Sequence, residues 1–175
     1  MASSVLLART GKLFIDNCSL LIETMRLVIQ RVREASVTVE GAITGQIGPG
    51  LLVLVGCAPT DDEAALTWMV RKLVNLRIFS DENGQMDRSV RDVSGKVLVV
   101  SQFTLLADAR KGNRPSYVGA APPAVAEPLY QRFVALVAQE LGQPVPTGIF
   151  GADMQVRLLN DGPVTIVLDS PVATA

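Results

Sequence analysis

The sequence predicts an α+β fold: mixed, mostly antiparallel β-sheets in a barrel- or sandwich-like arrangement, with two helices packed against them. Three observations predict it. Short β-branched runs punctuated by glycine and proline fill the first third of the chain, and two later stretches repeat apolar residues at helical spacing. No linker, internal repeat or low-complexity segment divides the 175 residues, about half of which are apolar, so one well-buried domain is expected.

The runs Leu27 to Val32, Ser36 to Glu40, Ala42 to Ile47 and Leu51 to Cys57 are separated by Gly41 and by Gly48-Pro49-Gly50, which predicts an antiparallel meander. Thr60 and Glu63 have capping-box spacing, and Leu66, Met69, Val70, Leu73 and Val74 recur on one helical face. Residues 61–77 therefore read as a helix lying on a sheet. The turn Asp81-Glu82-Asn83-Gly84 precedes a buried-looking strand from Lys96 to Gln102. A polar, glycine-containing stretch, Asp108 to Ala121, then breaks regular structure. The second helix runs from about Ala124 to Leu141, with Leu129, Phe133, Leu136 and Val137 as its apolar stripe. Pro122 and Pro123 suit its entry, Pro128 loosens its first turns and Gly142 ends it. Gln155 to Leu159 and Val164 to Leu168 read as strands flanking a turn at Asn160-Asp161-Gly162-Pro163.

The chain has no histidine, which excludes Ser-His and Cys-His nucleophile pairs and the usual general base near neutral pH. Two cysteines, Cys18 and Cys57, cannot build a cysteine zinc site, and Cys57 reads as a small core residue; neither metal nor cofactor is expected. Such low cysteine usage suits a reducing compartment, and a cytoplasmic protein is expected. The formal charge of −1 argues against a broad nucleic-acid-binding face, so any RNA contact would be confined to a small patch. No apolar stretch approaches the ~20 residues needed to span a bilayer as a helix.

Near the amino terminus, Val5-Leu6-Leu7-Ala8 is too short for a secretory core, and Asp16 and Glu23 argue against a presequence. We read residues 1–24 as an extension outside the domain, added by an upstream start, with a surface-packed arm or a targeting segment as alternatives. The domain is expected over residues 25–170, followed by a tail at 171–175.

Two strings stand apart from packing requirements: Ser101-Gln102-Phe103-Thr104-Leu105 and Asn160-Asp161-Gly162-Pro163-Val164-Thr165. With the start Ile29-Gln30-Arg31-Val32 and the loop Gly112-Asn113-Arg114-Pro115-Ser116 between them, the chain resembles the D-aminoacyl-tRNA deacylases from Met25 to about Leu168. The resemblance implies a homodimeric hydrolase that cleaves the ester between a D-amino acid and the 3′ end of tRNA, and also clears mischarged glycyl-tRNA.

Read without that resemblance, Thr104 would need a base to act as a nucleophile. If the strand continued, Asp108 would lie ~13 Å away at ~3.3 Å per residue, out of reach. A β-branched residue on a half-buried strand is the better reading of Thr104, and Ser101 likewise suits a role in fixing backbone or ribose. The resemblance implies instead that Ser101, Gln102, Phe103 and Thr104 border the ester and supply backbone donors, while the vicinal 2′-hydroxyl of the RNA assists the attack. It further implies that Gly162-Pro163 is a cis peptide inserted into the partner subunit's pocket, where its carbonyl oxygens turn away an L side chain. On base rates alone the bond would be trans, since only ~5 to 6% of X-Pro bonds are cis.

Arg31 is a plain strand charge on its own and a clamp on the Gly-Pro turn by resemblance, with Asn160 and Thr165 ordering the same turn. Arg110, Lys111 and Arg114 form the densest basic cluster and are candidates for tRNA phosphates, a solvated loop being the alternative. Phe150 and Met154 resemble the family's adenosine-pocket segment and would otherwise be core. A general D-amino-acid esterase or amidase and a noncatalytic module binding RNA 3′ ends remain the competing functions.

Overall fold

In the computed structural model, residues 24–172 are described; all but the last residue of the expected extension, and the last three residues of the tail, lie outside them. One five-stranded sheet carries the fold. Its strands are β1 (Arg26–Val39), β2 (Ala42–Ile47), β3 (Gly50–Gly56), β6 (Lys96–Ser101) and β7 (Gln155–Asp169). Strand β1 pairs antiparallel with β2 and β3 and, along almost its whole length, with β7. β6 lies parallel to β3, so the sheet is mixed and mostly antiparallel. The crossover between those parallel strands contains α1 (Glu63–Asn75) and a small hairpin of β4 (Phe79–Ser80) and β5 (Met86–Arg88). The second helix, α2 (Pro123–Leu141), lies between β6 and β7 in sequence and packs against α1.

The sheet separates two cores. Leu27, Ile29, Leu51, Val53 and Val99 bury against the helices. Val32, Ala35, Val37, Ile47, Leu52, Leu98 and Val100 form a second cluster, into which Val156 and Leu158 pack. Side chains alternate faces along a strand, so a strict alternation after Val32 would bury Glu34 and Ser36. It does not, because Val32 faces Asn160 while Glu34 faces Leu159, which leaves Arg33 as one extra residue. That bulge turns Ala35 and Val37 inward. The charged pair Arg33-Glu34 marks it in sequence, where it reads as a break between two strands; the two expected runs are one continuous strand. The two runs at the carboxyl end likewise form a single strand, β7.

Helix α1 is two residues shorter than expected at each end, and its cap is Asp62, whose Oδ1 accepts from Ala65 N at 2.8 Å. Glu63 does not complete a capping box; it pairs with Arg132 of α2. Along α2 the buried residues are Ala126, Tyr130, Phe133 and Val137, whereas Leu129 and Leu136 are half-buried. Pro123 occupies the first helical position, and the helix continues through Pro128. Asp81 closes its turn as expected, its Oδ1 accepting from Asn83 N and Gln85 N at 2.8 Å each.

Candidate active site

At the end of β6, Ser101 pairs with Val55, and Gln102 N donates to Val55 O at 2.7 Å. The chain then leaves the sheet and winds a 3₁₀ turn, Phe103–Leu106. Thr104 is therefore exposed in a turn and not on a half-buried strand, and the extended spacing to Asp108 does not apply. Its hydroxyl accepts a hydrogen bond from the Gln102 side-chain amide. The Asp108 carboxylate is occupied by Arg110, with Oδ1 to Nε at 2.8 Å and Oδ2 to Nη2 at 2.6 Å. Those bonds hold its pKa well below the usual carboxylate range. Thr104 thus has no base from this segment. What the turn does present is its first backbone donors. Leu105 N donates to Gln102 O and Ala107 N to Thr104 O, but the N–H groups of Phe103 and Thr104 have no acceptor among the described residues.

Beside that turn lies an apolar cavity of about 510 Å³. Ser101, Gln102 and Phe103 form one wall, Phe150 and Met154 another, and Tyr130 of α2 lines it as well. Tyr130 Oη donates to Val99 O at 2.9 Å, and burial pushes its pKa up to about 12, so the hydroxyl is neutral and engaged. Cys57 also lines the cavity. Burial, with a smaller contribution from Asp61, raises its thiol to about 12, which makes it the inert small residue expected. Phe103 and Tyr117 meet edge to face at the exposed rim, 5.2 Å between centroids. Sequence reading missed Tyr117 and Tyr130. Tyr117 sits in the irregular stretch, where no periodicity marks it; Tyr130 follows Ala126 at helical spacing, a usable signal that the leucines beside it obscured.

The second string stands elsewhere. β7 pairs Thr165 with Gln30 and Asn160 with Val32, so Asp161 to Val164 are opposite Arg31 alone. These four residues form an excursion from the ladder, and the Gly162-Pro163 peptide in it is cis. The excursion also moves the strand between cores, since Leu158 packs in one and Val164 and Ile166 in the other. Arg31 Nε donates to Asp161 O at 3.2 Å, and Nη1 donates to Ile78 O, tying the excursion to the segment before β4. Arg33 adds an exposed ion pair to Asp161 at 3.1 Å. Gly162 has φ +124°, and a β-carbon there would meet Val164 Cγ2 at 2.8 Å and Arg31 Nη2 at 3.0 Å. Asn160 Oδ1 is buried without a hydrogen-bond partner among the described residues, and Thr165 is exposed.

The expected residues thus fall into three groups. Ser101, Gln102, Phe103, Phe150 and Met154 share the cavity, with Thr104 in the adjoining turn. Arg31, Asn160, Gly162, Pro163 and Thr165 cluster at the excursion, and none of them lines the cavity. Leu27, Val55 and Ser101 are aligned across the sheet, as are Arg31 and Leu51. The two strings are therefore about 13 Å apart along the strands and about 14 Å apart across them, taking ~3.3 Å per residue and ~4.8 Å per strand. Arg110, Lys111 and Arg114 occupy an exposed loop closed by reciprocal 2.8 Å backbone bonds between Asp108 and Ser116. Arg110 is engaged with Asp108, which leaves Lys111 and Arg114 as the stronger phosphate candidates.

Comparison with known proteins gives concordant matches. A family model described as D-Tyr-tRNA(Tyr) deacylase matches residues 28–169. A D-aminoacyl-tRNA deacylase of Chlorobaculum parvum is 62% identical over 147 residues, covering 84% of this chain and 99% of the relative. One from Dechloromonas aromatica is 58% identical over 148 residues, covering 85% and 99%. Among solved structures, a c-Myc DNA unwinding element binding protein superposes with TM-score 0.79 at 44% identity, covering 84% of this chain and 99% of its own. A probable eukaryotic D-amino acid tRNA deacylase superposes with TM-score 0.74 at 21% identity, covering 83% and 99%, and supports the fold alone.

Proposed function

This chain belongs to the D-Tyr-tRNA(Tyr) deacylase family, and from that premise we propose that it hydrolyses the ester of D-aminoacyl-tRNA, and of mischarged glycyl-tRNA, to free tRNA and amino acid. The observation that carries the reading is the pair of unpaired N–H groups at Phe103 and Thr104, beside an apolar cavity, in a chain without histidine.

Water attacks the ester carbonyl, and the developing oxyanion accepts hydrogen bonds from those fixed donors, each worth about 3 to 4 kcal/mol in comparable sites. The vicinal 2′-hydroxyl of the terminal ribose orients and activates the water, and the 3′-oxygen leaves with a proton. Phe150 and Met154 with the Phe103 and Tyr117 rim receive the terminal adenosine, and Lys111 and Arg114 meet backbone phosphates. No titratable side chain is required.

Chirality is checked by a second copy. Gly162 and Pro163 enter the partner's cavity, held by Arg31 and ordered by Asn160 and Thr165, and their carbonyl oxygens exclude an L side chain while leaving a D side chain or glycine room. Two observations support a dimer. Within one chain the strings are too far apart to share an α-carbon, and β7 is a long edge strand with Leu159 and Val167 exposed.

Turnover of D-tyrosyl-tRNA, L-tyrosyl-tRNA and D-tyrosine ethyl ester tests the reading. Hydrolysis of the first alone is expected. Equal hydrolysis of the ethyl ester would establish a general esterase, and no hydrolysis of any a binding module.

A further inference from the structure

Away from the active site, a pocket of about 410 Å³ opens between the start of β1, the loop before α1 and the end of β7. Thr24, Asp61, Asp62, Trp68 and Ser170 line it. Met25 is fully buried beside it and held through its backbone at both ends: Met25 N donates to Asp61 Oδ1 at 2.8 Å, and Met25 O accepts from Ser170 N at 2.9 Å. The other Asp61 oxygen accepts from Ala58 N at 2.6 Å. Two features of this arrangement are unmatched. Asp61 has no ion pair with any described residue, although it is partly buried and adjoins a second carboxylate. The Ser170 hydroxyl, on a residue only 5% exposed, has no hydrogen-bond partner among the described residues.

An amide at Met25 N supplies one donor and no charge. An α-ammonium at the same position supplies three donors and a positive charge: one donor already directed at Asp61 Oδ1, and others free to reach an acceptor such as Ser170 Oγ. We propose that this pocket is a receptor for a free α-ammonium group on Met25, so that a chain initiated at that methionine closes its own amino terminus onto Asp61 and Ser170. The lengths of the relatives agree, since 147 aligned residues make up 99% of the Chlorobaculum protein and a chain from Met25 to Ala175 has 151.

The direction of the pH effect follows from the surroundings. An unfolded α-amino group titrates near ~7.7 to 8.0, and the Asp61 carboxylate beside it raises the folded value. The stabilisation is then complete below the unfolded value and is lost as pH rises through the folded one. The charged groups on the surrounding elements are Asp62 before α1, Lys72 of α1 over the Trp68 ring, the Arg26–Asp169 pair joining β1 and β7, and the Glu63–Arg132 pair joining the helices. The Cys57 thiol, raised to about 12, stays neutral through this range.

The test compares melting temperatures between pH 6 and 10 for the full chain, for a chain beginning at Met25 with its amine free and verified by mass, and for the same chain acetylated at that amine. The free amine is expected to melt about 2–4 °C above the acetylated form at pH 6.5, the gap closing by pH 10, while the full chain follows the acetylated profile. Asp61→Asn should abolish the gap. Should that variant fold poorly, titration of the α-amino nitrogen by NMR in the unmodified Met25 form gives the same information, with a pKa above 8 expected. A gap that is absent or independent of pH, or an amine titrating at or below 7.7, overturns the proposal.

Discussion

The two strings that carry the family resemblance are built on opposite terms. Ser101 to Thr104 lie at the end of β6, and Tyr130, Cys57, Phe150 and Met154 of the same chain line the cavity beside them. Asn160 to Thr165 interrupt an edge strand, stand outside that cavity and are tied down from behind by Arg31. On the function proposed above, the first region is a receptacle and the second a tool held at a distance from it. The contrast teaches that one chain carries all the parts and yet, on our reading, only half of each working site.

The sharpest way to break this contrast is to damage the halves separately. Gly162→Ala should lower the deacylation rate on D-tyrosyl-tRNA by about 100-fold or more, since the new methyl group displaces Val164 or the Arg31 clamp by a sizeable fraction of an ångström. Gly41→Ala, also at positive φ with open space around it and away from the cavity, is the control for backbone strain alone. If Phe103→Ala, which strips the cavity rim, is inactive alone, mixing that chain with the Gly162→Ala chain should restore about a quarter of the wild-type rate, because random pairing gives mixed dimers with one intact site of two. No recovery on mixing would place both strings in the service of the same chain.

Smaller effects sharpen the picture. Arg31→Lys keeps the charge but cannot donate to Asp161 O and Ile78 O together, so the rate should drop about 10- to 100-fold and the D/L ratio with it. Thr104→Ala removes only a hydroxyl that accepts from Gln102 and leaves the backbone donors in place, so the rate should change by less than about tenfold. A loss of four orders of magnitude with the fold intact would make Thr104 the nucleophile. Smallest of all, iodoacetamide at pH 7.5 should leave activity unchanged, because the Cys57 thiol stays protonated up to about 12. The same raised value means that the folded state holds that proton more tightly than the unfolded chain. Thermal stability should therefore decline as pH climbs above about 9, where a free thiol begins to ionise.

Most of the strands, both helices and the turn at Asp81 were legible, because apolar periodicity and turn residues are local signals. What escaped depends on partners distant in sequence. Arg33-Glu34 reads as a break, yet a ladder with β7 carries the strand through it as a bulge. Asn160 to Pro163 reads as a turn between two strands, yet both flanks pair with the same strand and form one. The helix cap moved from Thr60 to Asp62, since threonine and aspartate both serve as caps and residue type alone does not choose between them. At the site, Phe150 and Met154 were found by resemblance. Tyr130 was not, because one aromatic on a helix carries no label until the cavity beside it is seen.

The pairing of β1 with β7 joins the two extremes of the domain, with Arg26 bonded to Asp169 across 143 positions of sequence. Contacts of such separation come late and slowly in folding, since nearly the whole chain must close as a loop before they form. During synthesis, then, Arg31 emerges from the ribosome long before anything exists for it to hold. A nascent chain can shape most of its cavity while still tethered, but the edge that bears Gly162 is laid down only at the end of synthesis. On the function proposed above, that order of assembly would give the protein its power to discriminate after its capacity to bind.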